Sequence, residues 1–291
     1  MSLLVIGPIT KDKIIKNGKE TTTVGGSVYY ESYVFNALDI DYIPIINLKK
    51  EDSNLIAKLP NPKIAKTIFK EDTHYFINSY PNKNNLDLRI QYSNFPNIAI
   101  LKEDLDPIIA NIQNIDGIIL NPLNKYDFPL ETIKYLRNVA NKHGCLIYLS
   151  AQGFLKDSTS DSKVILKESL KLNGILELVD ILFLDENEFK LINDFNLKEA
   201  IITNGSKGSR ILYNNKETAI LPVKPTNIID STGCGDTYMA AYISKRIDNS
   251  TIEEAGNFAS KIASRKLECS GPFKLWILLK IGSSKDKFND F

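Results

Sequence analysis

Short apolar runs without polar alternation recur along this chain, and stretches with helical spacing lie between them. The runs are residues 3–6, 117–120, 146–149, 181–184 and 200–203. Such runs are typical of strands that are buried on both faces of a sheet. Apolar residues recur every third position from Leu130 to Val139, and residues 163–172 also have helical spacing. Strand followed by helix, repeated, predicts an α/β fold: a doubly wound, mostly parallel sheet in an α/β/α sandwich.

Two polar segments, residues 9–24 and 68–98, interrupt this rhythm. Both are rich in Asn and Lys, and residues 86–92 alternate apolar and polar side chains as half-exposed antiparallel strands do. We interpret the two segments as a small β-strand lid on one domain that spans residues 1–291. Such a lid could close over the carboxyl ends of the parallel strands, where open α/β sheets bind ligands.

The charge and cysteine content exclude several classes of protein. Lys and Arg number 36 against 35 Asp and Glu, a formal net charge of +1 that gives no overall field for nucleic acid or an anionic membrane. Cys145, Cys234 and Cys269 are too far apart for a zinc motif or a disulfide framework. The apolar runs at residues 3–6 and 275–279 are too short for a secretion signal or a membrane span. We therefore expect a cytoplasmic protein with neither nucleic acid nor membrane as a partner.

The segment Asp-Ser-Thr-Gly-Cys-Gly-Asp at residues 230–236 is the strongest chemical signal in the chain. It precedes a helix-compatible stretch, and a glycine-rich turn at a helix N-terminus gathers N–H donors suited to a phosphate or a developing negative charge. Asp236 would be a poor anion ligand there, but it could accept a proton from a substrate hydroxyl group. Taken alone, Gly-x-Gly-Asp could equally be a tight turn with a capping Asp.

The surrounding sequence resembles the ribokinase-like family, also called the PfkB family of carbohydrate kinases. Its second signature, Asp-Thr-x-Gly-Ala-Gly-Asp, is similar to residues 230–236, with Ser and Cys in place of Thr and Ala. The resemblance implies an ATP-dependent kinase that uses Mg²⁺. It makes Asp236 the general base, and the backbone of Gly233, Cys234 and Gly235 the site that stabilises the transferred phosphoryl group.

The resemblance also implies substrate-binding residues near the N-terminus. Gly25 and Gly26 are similar to the diglycine that packs beside the sugar in the family, and Asp12 stands where the family has a carboxylate that holds substrate hydroxyl groups. Tyr29 and Tyr30 occupy the region in which the family carries an Asn. We interpret Tyr30 as a residue that could stack on a ring-shaped substrate, although aromatic residues after a diglycine can also be packing residues.

Three further motifs point to the phosphoryl donor and its metal. Thr203, Gly205 and Gly208 resemble the family's Thr-x-Gly-x-x-Gly loop beside the nucleotide, and Asn257 lies in the helix that flanks the adenine. Glu188 is similar to the Glu of the family's Asn-x-x-Glu, which organises magnesium and phosphate. Asp185 replaces the Asn of that motif.

Several alternatives remain open. The acceptor is a small-molecule alcohol, either a carbohydrate or cyclitol, or a nucleoside if Tyr29, Tyr30 and Tyr92 sandwich a base. A catalytically degenerate nucleotide-binding or metabolite-binding protein is a third possibility, against which the intact Asp236 argues. The resemblance allows a homodimer formed through the lid. A thiol at a helix N-terminus should also be reactive, unless Cys234 is a buried substitute for Ala.

Overall fold

The computed structural model describes residues 2–16, 18–81, 90–192 and 197–274. Its strands are β1 (Ser2–Pro8), β2 (Thr10–Lys16), β3 (Lys19–Gly25), β4 (Tyr42–Lys49), β5 (Lys66–Lys70), β6 (His74–Tyr80), β7 (Ile90–Ser93), β8 (Ile115–Leu120), β9 (Leu146–Ser150), β10 (Lys156–Ser158), β11 (Val164–Leu166), β12 (Ile181–Asp185), β13 (Glu199–Thr203), β14 (Ser209–Tyr213) and β15 (Lys216–Ile220). Its α-helices are α1 (Ser27–Ala37), α2 (Lys102–Ile109), α3 (Leu130–His143), α4 (Gln152–Leu155), α5 (Leu170–Leu176), α6 (Glu186–Phe189), α7 (Cys234–Ile247) and α8 (Ile252–Leu267).

The central sheet has nine strands in the order β15-β14-β13-β12-β9-β8-β1-β4-β5. Pairing is parallel from β13 through to β5, and the last two strands, β14 and β15, are antiparallel to their neighbours. All five apolar runs of the sequence lie in this sheet, so the predicted doubly wound, mostly parallel architecture is confirmed.

Helices cover both faces of the sheet because successive strand residues point in opposite directions. In β1, Leu3 and Val5 pack in a core with α1, α7 and α8, whereas Leu4 and Ile6 pack in a second core with α2, α3 and α5. A continuous apolar run is therefore what a two-faced core requires. Within the described part of the chain, no helix is both long and apolar enough to cross a membrane.

The predicted lid is a separate four-stranded sheet in the order β3-β2-β6-β7. One of its boundaries was predicted wrongly: β5 falls at the beginning of the 68–98 segment but pairs with β4 at the edge of the central sheet. Residues 82–89, which include most of the alternating segment, lie outside the described residues. The predicted helix at 163–172 is also wrong, because β11 pairs with β10 there and α5 begins only at Leu170.

Candidate active site

The turn before α7 places backbone N–H groups beside Tyr30 of α1. Gly233 is the N-cap of α7 with a φ of 77°, in the left-handed region that favours glycine. A β-carbon at this position would also overlap the ring of Tyr30. Gly235 faces open space instead, and it is exposed. The first-turn amides of a helix have no carbonyl partner within the helix, so they can receive an anion here.

The diglycine makes room for Asp12 and turns the chain into α1. A β-carbon at Gly25 would overlap the carboxylate of Asp12, which lies on the paired strand β2. Asp12 is only 5% exposed, and its Oδ1 accepts a hydrogen bond from the Thr10 hydroxyl at 2.6 Å. Gly26 has a φ of 91° and precedes the first residue of α1. Gly25 thus leaves room for the Asp12 carboxylate, and Gly26 takes the positive φ with which the chain enters α1.

Tyr30 connects the two halves of the candidate site. Its ring is 3% exposed and lies against Gly233. Burial raises the pKa of the Tyr30 hydroxyl well above its usual range, and the nearby carboxylates of Asp12, Asp230 and Asp236 raise it further. The charges of Asp12 and Asp236 thus both reach the Tyr30 hydroxyl group, although these two residues are far apart in sequence. Tyr30 packs in the core, and little of its surface remains for a ligand.

A buried carboxyl group that the sequence reasoning missed lies next to Asp236. Glu31 is fully buried, and its Oε2 accepts a hydrogen bond of 2.6 Å from the side-chain amide of Asn121. Oε1 has no hydrogen-bond partner among the described residues. Burial, followed by the charge of Asp236, raises the pKa of Glu31 well above its usual value, so the protonated form of this carboxyl group is favoured in the fold.

A second missed group follows the carboxyl end of β9. The side-chain amide of Gln152 donates to the Ser27 hydroxyl at 3.1 Å, and its oxygen accepts from Lys156 at 2.6 Å. The Lys156 ammonium is 5.5 Å from the ring centre of Phe76 in the lid. Asn121 comes directly after β8, and Gln152 is the second residue after β9. Polar residues directly after buried runs were the sequence signal that could have identified them.

The lid is closed onto the turn in this structure. The hydroxyl groups of Tyr80, at the end of β6, and Thr232, in the turn, share a buried hydrogen bond of 2.9 Å. On the inner face of the lid, Gln91 donates to the Asn78 side-chain oxygen at 2.8 Å, and Asn78 is 1% exposed. A cavity of about 150 Å³ lies between the lid and the residues around Asp230.

The predicted nucleotide-binding residues lie at the end of β13, in the loop that follows it and on α8. Thr203 ends β13, and Gly205 and Gly208 both have positive φ in the following loop. A β-carbon at Gly208 would overlap the carbonyl oxygen of Ile220. Asn257 is exposed on α8, and the preceding residue of that helix packs against the Ile220 side chain.

Exposed apolar side chains lie in the segment between the end of β15 and the turn before α7. They are Leu221, Val223, Ile228 and Ile229. This segment is held along α8 by hydrogen bonds of its backbone to Ser260 and Leu267.

Glu188, the predicted metal-organising residue, lies with Asp185 at the start of α6. The Asp185 side chain accepts hydrogen bonds from the backbone N–H groups of Asn187 and Glu188, and Glu188 Oε2 accepts from Asp185 N at 2.8 Å. Among the described residues, no group of three or more His, Cys, Asp or Glu side chains is arranged to hold a metal ion. A pair of carboxylates still fits Mg²⁺, which commonly takes one or two carboxylates together with water and substrate phosphates.

Cys234 does not have the surroundings of a reactive thiol. Its Sγ lies 3.9 Å from the carbonyl oxygen of Ala263. Burial raises the pKa of the Cys234 thiol to about 12, and nearby Lys266 offsets only part of this effect. A thiol with this pKa is protonated at neutral pH, which favours the interpretation of the half-buried Cys234 as an unreactive residue in place of Ala.

Comparison with known proteins identifies chains that are similar to this one. The family model described as pfkB family carbohydrate kinase matches residues 102–275, more than half of the chain. A nucleoside kinase from Methanocaldococcus jannaschii is 32% identical over 107 residues, which cover 33% of this chain and 35% of that protein. The aligned part of the chain thus spans about a third of the length of the curated relatives compared first.

Solved structures share the whole fold. A pyrophosphate-dependent kinase in the ribokinase family, complexed with a pyrophosphate analog and myo-inositol, has a TM-score of 0.79 and 20% identity and covers 96% of this chain and 100% of its own. Arabidopsis thaliana ribokinase complexed with ribose and ATP has a TM-score of 0.71 and 17% identity, with coverages of 96% and 97%. At 17–20% identity, this structural similarity establishes the fold alone.

Proposed function

Because the chain belongs to the pfkB family of carbohydrate kinases, we propose that it transfers the γ-phosphoryl group of ATP to a hydroxyl group of a carbohydrate or cyclitol. One observation carries the proposal: the carboxylates of Asp12 and Asp236 both act on Tyr30, whose ring lies against Gly233. This arrangement supports a site beneath the lid that combines a carboxylate able to hold hydroxyl groups, a general base and a phosphate-binding turn.

The chemistry divides between a side chain and the backbone. The substrate hydroxyl oxygen forms the new bond to the γ-phosphorus, the bond to the ADP oxygen breaks, and the hydroxyl proton passes to the Asp236 carboxylate. The amides of the Gly233–Asp236 turn stabilise the charge on the transferred group. The Cys234 amide also donates to the Ser231 carbonyl at 3.2 Å, so Gly235 and Asp236 are the principal donors in this proposal.

Magnesium would be held near Glu188 and Asp185 together with the phosphates of the donor. When bound, the ion neutralises phosphate charge. The capping hydrogen bonds fix both carboxylates at the start of α6, so their orientation does not depend on the metal.

The lining of the cleft supports a polyhydroxylated acceptor. The inner face of the lid carries Asp12, Asn78 and Gln91, which can hydrogen-bond to hydroxyl groups. Tyr92 pairs with Ile77 on the opposite, outer face of the lid. Because Tyr29 also packs in the core, the three tyrosines that could have sandwiched a base do not meet in the cleft.

Two competing specificities have specific support. The Methanocaldococcus jannaschii relative is a nucleoside kinase, which keeps a nucleoside acceptor as a second candidate. The similar structure of a pyrophosphate-dependent kinase makes pyrophosphate a second candidate donor. The exposed apolar segment from Leu221 to Ile229 supports ATP, because it offers a surface for a base beside Asn257.

Mass spectrometry of the phosphorylated product tests the function with either donor. Sugars, inositols and nucleosides are each incubated with Mg²⁺ and either ATP or pyrophosphate, using the wild type and Asp236→Asn. We expect turnover with ATP and a sugar or inositol, and a loss of roughly 10²- to 10⁴-fold in Asp236→Asn, as for removal of a general base.

The other outcomes are equally informative. Turnover that survives in Asp236→Asn would disprove the assigned base. Phosphorylation of nucleosides alone would replace the acceptor class, and turnover with pyrophosphate alone would replace the donor. ATP binding without turnover on any acceptor, in both proteins, would favour a binding protein without catalysis.

A further inference from the structure

A fully buried lysine lies directly behind the turn that begins α7. Lys266, in the last turn of α8, is 0% exposed. Its ammonium donates to the backbone carbonyl oxygen of Asp230 at 2.9 Å and lies 3.4 Å from Asp230 Oδ2. Lysine is almost never completely buried unless it is paired, because removing an ammonium from water is costly. The complete burial of Lys266 should therefore be explained by the groups around its ammonium.

Asp230 transmits the position of the ammonium to the turn. Its Oδ1 accepts a hydrogen bond from Thr232 N at 2.9 Å, and its Oδ2 accepts from Gly271 N at 3.1 Å. The backbone N–H groups of Ile229 and Asp230 both donate to the carbonyl oxygen of Leu267, the residue after the lysine. Asp230, which leads into the turn, is thus held through its side chain, its carbonyl oxygen and its backbone N–H group, and Lys266 contacts the side chain and the carbonyl oxygen.

The ammonium also acts on the turn through its charge. The pKa of Cys234, raised chiefly by burial, is lowered in part by Lys266, so the positive charge is felt at the first residue of α7. The negative charges of Asp230, Asp236 and Asp12 all act on the Tyr30 hydroxyl group, and a phosphate would add more negative charge. A buried cation behind the amides partly balances this charge, and its effect is strong because water is excluded.

We propose that Lys266 is a positioning residue for phosphoryl transfer: through Asp230 it holds the Ser231–Gly235 turn in the geometry that receives the phosphoryl charge. This inference rests on the proposed function. Lys266 itself touches neither substrate nor donor, since it is enclosed behind the turn. Misplacement of the amides, rather than loss of a contact to substrate, is the expected consequence of removing it.

The test uses four variants of the full chain. Lys266→Met keeps the length of the side chain and removes its charge, and Lys266→Ala leaves a space that an added alkylammonium ion can enter. Asp230→Asn combined with Lys266→Met removes both charges of the pair. Lys245→Met is the matched control, because Lys245 also lies in the last turn of a helix but stacks on Phe258.

Turnover and hydrogen exchange are then measured together. For Lys266→Met we expect kcat to fall by roughly 10- to 100-fold, the size of effect that misplaced catalytic groups produce, while the acceptor KM stays within about twofold of wild type. Amides of residues 231–236 should exchange faster than in wild type, and the rest of α7 should not. Propylammonium should restore part of kcat in Lys266→Ala, and Lys245→Met should match wild type in both measurements.

The double variant separates positioning from simple pairing of a buried charge. We expect it to recover thermal stability relative to Lys266→Met without recovering kcat. Recovery of kcat along with stability, or unchanged kcat and unchanged exchange at residues 231–236 in Lys266→Met, would overturn the proposal. Hydrogen exchange needs no substrate, so faster exchange in Lys266→Met supports the positioning role even if the wild type phosphorylates no acceptor, an outcome that would count against the kinase function alone.

Discussion

Gly233 and Gly235 should respond in opposite ways to the same substitution, Gly→Ala. At Gly233, a φ of 77° costs an alanine about 1–2 kcal/mol. Overlap of the new methyl group with the Tyr30 ring adds about 1–3 kcal/mol. We therefore expect Gly233→Ala to lower the free energy of unfolding by about 2–5 kcal/mol, which corresponds to a fall in Tm of roughly 5–15 °C for a domain of this size.

At Gly235 the structure predicts no such penalty. A β-carbon there meets no atom within 4 Å, and the residue lies inside α7, where alanine is favoured over glycine by up to about 1 kcal/mol. Gly235→Ala should therefore unfold at the wild-type Tm or slightly above it. The methyl group would nevertheless stand in the open space before the first-turn amides, so kcat/KM should fall by about tenfold or more.

Differential scanning calorimetry and the product assay measure the two effects on the same samples. Gly174→Ala is the control, since this glycine lies exposed in α5 with open space around it, away from the turn. It should gain stability and keep full activity. The reasoning would be refuted by full activity in Gly235→Ala, or by a Tm within about 2 °C of wild type in Gly233→Ala.

Two further substitutions test the groups around the turn. Burial raises the pKa of folded Glu31 well above its ordinary value of 4.5, so the unfolded chain loses this proton at a lower pH than the folded protein, and wild-type stability should decline as the pH rises above that value, by up to about 1.4 kcal/mol per pH unit. The Tm of Glu31→Gln relative to wild type should therefore increase as the pH rises above about 5; a constant difference in Tm would contradict the raised pKa. Tyr80→Phe removes the buried hydrogen bond to Thr232 and should raise the acceptor KM about fivefold, equivalent to about 1 kcal/mol, and lower Tm by roughly 2–4 °C. An equal rise in KM for Tyr75→Phe, on the outer face of the lid, would show that this bond is not the cause.

The sequence determined the architecture because the pattern that encodes it is local. A strand buried on both faces must be apolar at every position, and β1, β8, β9, β12 and β13 each carry such a run. The N-terminus of α7 was equally readable, since a left-handed N-cap strongly favours glycine. The same local signal led us to predict Asp236 as the base, while the family membership was shown by comparison.

Tertiary structure decided what depends on partners distant in the chain. Residues 164–166 form a strand because β10 offers a pairing edge, which overrides their helical spacing. Glu31 and Lys266 read as ordinary charged residues on helix surfaces, yet both are completely buried, against Asn121 and Asp230. Burial of a charge is set by what packs around it, and no spacing within one helix encodes that.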